Sequence, residues 1–118
     1  MVAQANGRIV GFAGTSPVQI SNGAKHWFGL APIAVLPVAQ KQGIGSMLLD
    51  EILYRLKSGG AAGCVVLGEP DFYCRFGFEP DQRLVFANFD PAFFQSIRFN
   101  DNLPRGEVSY HPAFYSQN

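Results

Sequence analysis

With 118 residues, 47% of them apolar and 14% aromatic, the chain can build one ordinary hydrophobic core and is too short for two domains, so residues 1–118 are expected to form one. Nine Lys and Arg balance nine Asp and Glu, and the basic footprint of a general nucleic-acid binder is missing. No run approaches the ~18 apolar residues of a membrane span, and the N-terminus lacks the basic-then-apolar pattern of a secretion signal, which predicts a cytoplasmic protein without membrane partners. Cys64 and Cys74 do not form a C-x-x-C pair and are too few for a disulfide framework or a zinc site, so two reduced thiols packed in the core are expected and no metal.

Taken in chain order, Val2 to Ala5 reads as a short strand, Asn6-Gly7 as a two-residue hairpin turn, and Arg8 to Ala13 as a second strand running on through Val18 and Ile20. A turn at Ser21-Asn22-Gly23 returns the chain as Trp27 to Leu36, completing a three-stranded antiparallel meander. Pro32 cannot donate to a ladder, so a bulge is expected inside that last strand.

An apolar run then ends at Pro37, a polar turn follows, and Gly43 and Gly45 open a helix. Ile44, Leu48, Ile52 and Leu56 recur at helical spacing, Asp50, Glu51, Arg55 and Lys57 take the opposite face, and Gly59-Gly60 ends the helix. Glycines at such a turn let backbone approach a ligand closely. The first helical amides have no partner inside the helix and carry the positive end of its dipole, so the turn is suited to an anion such as phosphate. Cys64 to Leu67 is an apolar run of the kind buried in parallel sheets, and the strand, helix, strand order predicts a right-handed parallel crossover.

Gly68 to Phe78 reads as one short aromatic helix, with Pro70 at its first position and Gly77 as its cap. Beyond it, Leu84 to Ala87 and Val108 to Tyr110 read as strands, Asp90 to Phe94 as a capped helical turn, and Asn100 to Gly106 as a polar loop. The elements together predict a mixed α/β (α+β) sheet: an antiparallel meander, a parallel β-α-β unit, and a C-terminal helix-strand region.

Rival phosphate loops fail on residues. A dinucleotide fingerprint needs glycine where this chain has Leu48, and a P-loop needs Gly-Lys-Ser/Thr where it has Gly45-Ser46-Met47. An isolated G-x-G is as well explained by the shape of a strand-to-helix turn. Two longer signatures go further. Gln40-Lys41-Gln42-Gly43-Ile44-Gly45 fits the Q-x-x-G-x-G loop of the GNAT superfamily of N-acetyltransferases, preceded by Leu30 to Pro37, which resembles the strand before that loop. Phe72-Tyr73-Cys74-Arg75-Phe76-Gly77-Phe78 resembles the second signature of the same family, in which a tyrosine stands near the CoA sulfur. With Trp27 to Leu30 upstream and Gly68-Glu69-Pro70 between, the wording is most similar to the bacterial YhbS-like subgroup, and the resemblance covers essentially the whole chain.

The resemblance implies a GNAT-like fold with splayed parallel strands, acetyl-CoA as cosubstrate, and direct acetyl transfer to a primary amine of a small molecule or protein. Amides of Gln42, Gly43, Gly45 and Ser46, within the loop Gln40, Lys41, Gln42, Gly43, Ile44, Gly45 and Ser46, would hold the pyrophosphate. The pantetheine arm would pair with Ile33, Ala34 and Val35, and a backbone amide near Ala34 or Val35 would stabilise the oxyanion. Tyr73 is the candidate acid for the leaving thiolate; read without the family, it is one more aromatic beside Phe72, Phe76 and Phe78. Glu69 is the first candidate base, with a helix-start charge as its plain alternative; His26 is second, and a water relay would need neither. Lys41 and Arg55 are candidate contacts for the CoA phosphates or simply solvated cations.

Family members usually begin with a strand and two helices ahead of the meander, and the loop between those helices walls the acceptor site. These 118 residues begin at the meander, so the reading is of an N-terminally truncated fold with an exposed sheet edge, expected to self-associate as a dimer. A non-catalytic acyl-CoA-binding module with an incomplete acceptor site is the competing functional reading.

Overall fold

The computed structural model describes residues 1–5, 7–30, 33–35, 40, 42–86, 89–101 and 104–110, with the backbone alone for residues 5, 34 and 35. The chain opens with strands β1 (Val2–Ala5) and β2 (Arg8–Phe12), paired antiparallel, and Met1 and Ala13 continue the pairing by exchanging backbone hydrogen bonds of 2.8 and 2.9 Å. Strands β3 (Thr15–Ile20) and β4 (Trp27–Leu30) form a second antiparallel pair.

The expected meander is present, but it is cut into two sheets. Ala13 stays with Met1 while Thr15 pairs with Leu30, so Gly14 is where the second strand changes sheet. On the returning strand, β5 (Ala34–Val35) pairs with β2, matching Phe12 to Ala34 and Gly11 to Val35, whereas β4 pairs with β3. The strand expected over Trp27 to Leu36 is therefore two strands; Pro32 and the residues from Leu36 to Ala39 lie outside the described residues.

Helix α1 (Ile44–Ser58) buries Leu48, Leu49 and Ile52 and ends where the Gly59 and Gly60 amides donate to the carbonyls of Arg55 and Lys57. It leads into β6 (Gly63–Leu67), which runs parallel to β4 with Trp27 against Gly63, Phe28 against Cys64 and Gly29 against Val65. Residues 63 to 66 are all buried, as the uninterrupted apolar run required. Cys64 and Val66 face one core with Leu49, Tyr73 and Phe78, and Val65 faces a second with Trp27, Phe94 and Tyr110.

The aromatic segment is helix α2 (Pro70–Tyr73) continued by a 3-10 turn (Cys74–Phe76). Cys74 is exposed, not packed in the core: it falls on the outward side of this short element, with its thiol against the Asp71 carbonyl at 3.6 Å. Strands β7 (Glu79–Pro80) and β8 (Leu84–Val85) follow, so the strand expected over 84–87 is shorter among the described residues. Asp90 caps a 3-10 turn (Pro91–Phe93) by accepting from the Ala92 amide at 2.9 Å.

The turn releases the chain into β9 (Phe94–Arg98), a strand the sequence did not announce, and β10 (Gly106–Tyr110) closes the order. The larger sheet runs β7-β9-β6-β4-β3-β10-β8 and the smaller β1-β2-β5. No helix among the described residues is long and apolar enough to cross a membrane.

Candidate functional site

The site begins where β4 and β6 part. Their parallel pairing ends at Gly29 and Val65. β6 continues through Val66 and Leu67 against β9 alone, while the returning chain reappears as β5, hydrogen-bonded to β2. β5 lies at the end of its sheet. Among the described residues, the side of β5 away from β2 and the side of β6 away from β9 therefore carry no strand partner beyond the split. Two strand edges without a strand partner among the described residues can accept an extended amide-bearing chain between them.

Helix α1 starts beside this gap. Gly43, its N-cap, takes φ 77 and ψ 10, a left-handed conformation that glycine adopts at no steric cost. Gly43 has no side chain with which to cap the helix, and no acidic residue sits in the first turn to neutralise the positive end of the dipole. Gly45 faces the interior: a Cβ there would touch Ile33 at 3.5 Å and Phe72 at 3.8 Å. Ile33, the first helical turn and the aromatic segment thus converge, as the two signatures required. Ala34 and Val35 lie on β5, Gln40 and Gln42 flank the turn and are exposed, Ile44 and Ser46 are half-buried in the first turn, and Lys41 lies outside the described residues.

Tyr73 is 6% exposed and packs edge-on against Phe72 and Phe78, with centroids 5.0 and 5.8 Å away. Burial pushes its phenol above the usual tyrosine range, a hydrogen bond with the Ile33 backbone pulls the other way, and the Cys64 thiol adds a small upward push. The hydroxyl therefore lies near the backbone of Ile33, the residue that precedes β5. Tyr73 is thus a core aromatic, packed with Phe72 and Phe78. Burial drives the Cys64 thiol up to about 12, so it is neutral at physiological pH.

Glu69 is exposed immediately after β6 and is the N-cap of α2, where its carbonyl accepts from the Phe72 and Tyr73 amides at 3.2 Å; its carboxylate makes no capping bond. His26 precedes β4 and its carbonyl accepts from Ala62, which precedes β6, so it stands at the opposite end of the parallel pair from the split. Arg55 lies 11 residues along α1 from Ile44, about 16 Å at helical rise, pairs with Glu51 at 3.0 Å, and lines one open pocket together with Gly43, Ser46 and Met47.

Two contributors were missed in the sequence. Gly68 lies against the Tyr73 ring: a Cβ there would come within 2.6 Å of Cε2. Its signal was available, a glycine directly after a buried strand, which marks close approach. Gln95, almost completely buried in β9, donates from Nε2 to the Gly68 carbonyl at 3.1 Å, and nothing in the Phe-Phe-Gln-Ser run set it apart.

Residues 1–80 match the family model described as an acetyltransferase (GNAT) domain. The chain belongs to the GNAT acetyltransferase family. It is 36% identical over 115 residues to the uncharacterized N-acetyltransferase YhbS of Escherichia coli K12, covering 92% of this chain and 68% of that protein. Among solved GNAT structures, it aligns with Escherichia coli YhbS in complex with CoA at TM-score 0.90 and 34% identity, covering 99% of this chain and 69% of the other. A GNAT family acetyltransferase from Brucella melitensis in complex with acetyl-CoA aligns at TM-score 0.81 and 42% identity, covering 96% and 66%. The chain spans about two thirds of the length of these relatives. The GNAT fold, with its curled mixed sheet and few helices, is thereby established for this chain.

Proposed function

We propose that this chain is an N-acetyltransferase that moves the acetyl group of acetyl-CoA directly onto a primary amine of a small molecule or protein, with residues 1–118 acting as one acetyl-CoA-binding domain. The observation that carries the reading is the split itself: two strand edges without strand partners among the described residues, set between a helix N-terminus that opens on Gly43 and a buried tyrosine. The complexes of the two GNAT relatives with CoA and acetyl-CoA support it. When bound, acetyl-CoA supplies the thioester, and the remaining work falls to the chain.

In this reading the amides from Gln42 to Ser46 cradle the pyrophosphate, with Gln40 and Lys41 completing the loop, and the open edge at Ile33, Ala34 and Val35 pairs with the amides of the pantetheine arm. Tyr73 serves the departing sulfur. A phenol of pKa ~10 is already a weaker acid than a thiol near 8.5, a deficit of about 2 kcal/mol, and burial enlarges it. Donation of a hydrogen bond to developing thiolate, rather than complete proton transfer, is the contribution this environment favours. Cys64, the thiol that interacts with Tyr73, is held neutral, which argues against an acyl-cysteine route and for direct transfer. A lysine-like amine near pKa 10.4 must lose a proton before attack, and Glu69, exposed at the end of β6, is better placed to take it than His26.

Calorimetry with acetyl-CoA followed by thiol release over a panel of amines tests the reading. Saturable binding and amine-dependent release are expected. Binding without release under any amine would leave an acyl-CoA-binding module, and no binding at millimolar acetyl-CoA would overturn both.

A further inference from the structure

Gln95 is only 1% exposed, and its Oε1 is buried with no hydrogen-bond partner among the described residues. Leaving such an acceptor unmet is costly, a cost that an apolar side chain of the same size would avoid. The amide must therefore be explained by what its other end does. Pairing of β6 with β9 stops at Leu67 and Phe94, and the Gly68 amide still donates to the Phe93 carbonyl at 3.0 Å. The Gly68 carbonyl lies beyond that ladder, and Gln95 Nε2 takes it up.

Gly68 is also the residue whose missing Cβ admits the Tyr73 ring. A shift of Gly68 by a few tenths of an ångström moves the surface on which that ring rests, and with it the hydroxyl at the ring's end. Gln95 stands opposite Val66, which shares its core with Tyr73 and Phe78.

We propose that Gln95 is a positioning residue: by holding the Gly68 carbonyl beyond the end of the β6–β9 ladder, it fixes the backbone against which Tyr73 is seated and so sets where the Tyr73 hydroxyl stands in the split. This rests on the reading of Tyr73 as the group that serves the leaving thiolate, and the test separates the two. The full chain and its Gln95→Met variant, which keeps the volume and removes the amide, are each compared with their Tyr73→Phe counterparts. Ultraviolet titration of each pair isolates the Tyr73 phenol and needs no substrate. The expected result is a Tyr73 titration displaced toward the ordinary tyrosine value in Gln95→Met. Turnover falls about tenfold at unchanged KM for acetyl-CoA, and the double variant is no slower than Tyr73→Phe alone. An unchanged Tyr73 titration, or losses that simply add, would overturn the proposal. If the parent chain transfers no acetyl group, the function reading fails and the titration alone still decides for or against Gln95. Should Gln95→Met not fold, Gln95→Glu replaces it. Its carboxyl can donate to Gly68 only while protonated, so its turnover relative to the parent should fall as pH rises. A ratio flat with pH would overturn the proposal.

Discussion

The same two strands, β4 and β6, meet at one end of the molecule and part at the other. At the closed end Trp27 is 2% exposed and lies over Gly63, where a Cβ would come within 2.4 Å of the indole and 2.6 Å of the Ile97 carbonyl. Ala62 donates to His26 and accepts from Phe99, so the strand entrances are tied on both sides. At the open end the partners change: among the described residues, β6 keeps β9 alone and β5 keeps β2 alone. One end satisfies its backbone groups within the sheet, and the other is the end at which the proposed ligand would pair. Mutations at the two ends should therefore separate, those at the closed end acting on stability and those at the open end on chemistry.

The largest expected separation comes from Tyr73→Phe, which keeps the packed ring and removes the hydroxyl. Turnover should fall on the order of 100-fold with the melting temperature nearly unchanged, read from thiol release and thermal denaturation. Equal turnover would return Tyr73 to the aromatic core and nothing more. Gly63→Ala should do the reverse. Its methyl meets backbone as well as indole, so a loss of about 1–3 kcal/mol in denaturant unfolding is expected, with KM for acetyl-CoA unchanged in the folded fraction. Gly43→Ala meets no atom within 4 Å and is strained only by its positive φ, so about 1 kcal/mol is lost, together with affinity for acetyl-CoA.

A pH series sharpens the comparison from the buried side. The Cys64 pKa rises on folding from 9.0 to about 12, so the folded chain holds its proton more tightly than the unfolded chain. That stability is fully present below pH 9 and is lost as pH rises toward 12, about 1 kcal/mol of it between pH 9 and 10. Tyr73 adds loss of the same sign at higher pH. Unfolding of Cys64→Ala should lack the part that sets in at pH 9. The smallest effect is expected for His26→Ala: a turnover change under twofold, because His26 stands at the closed end. Separately, the uncharged outer edge of β1 is proposed to pair two chains, and a monomer in sedimentation at micromolar concentration would exclude that.

Much of this division was legible in the sequence because its determinants are local. The helical spacing from Ile44 to Leu56, the glycines that open and close α1, and the apolar run of β6 each settle their own element. Two features were not local. The cut at Gly14 depends on Ala13 pairing with Met1, twelve residues away, and a continuous apolar strand pattern does not reveal a change of sheet. β9 hid behind the Asp90-Pro91 turn, because Phe94 completes a helical-looking aromatic cluster while its pairing with Leu67 lies across 27 residues. In the site, the loop and Tyr73 declared themselves by motif, whereas Gln95 acts through a single contact with Gly68 that has no sequence period.

The most direct test is to follow backbone amide resonances of the isotope-labelled chain during titration with CoA. The account predicts saturable shifts from Gln42 to Ser46 and from Ile33 to Val35, with Trp27, Ala62 and Gly63 at the closed end unmoved. Shifts centred on the closed end, or none at millimolar CoA, would contradict it.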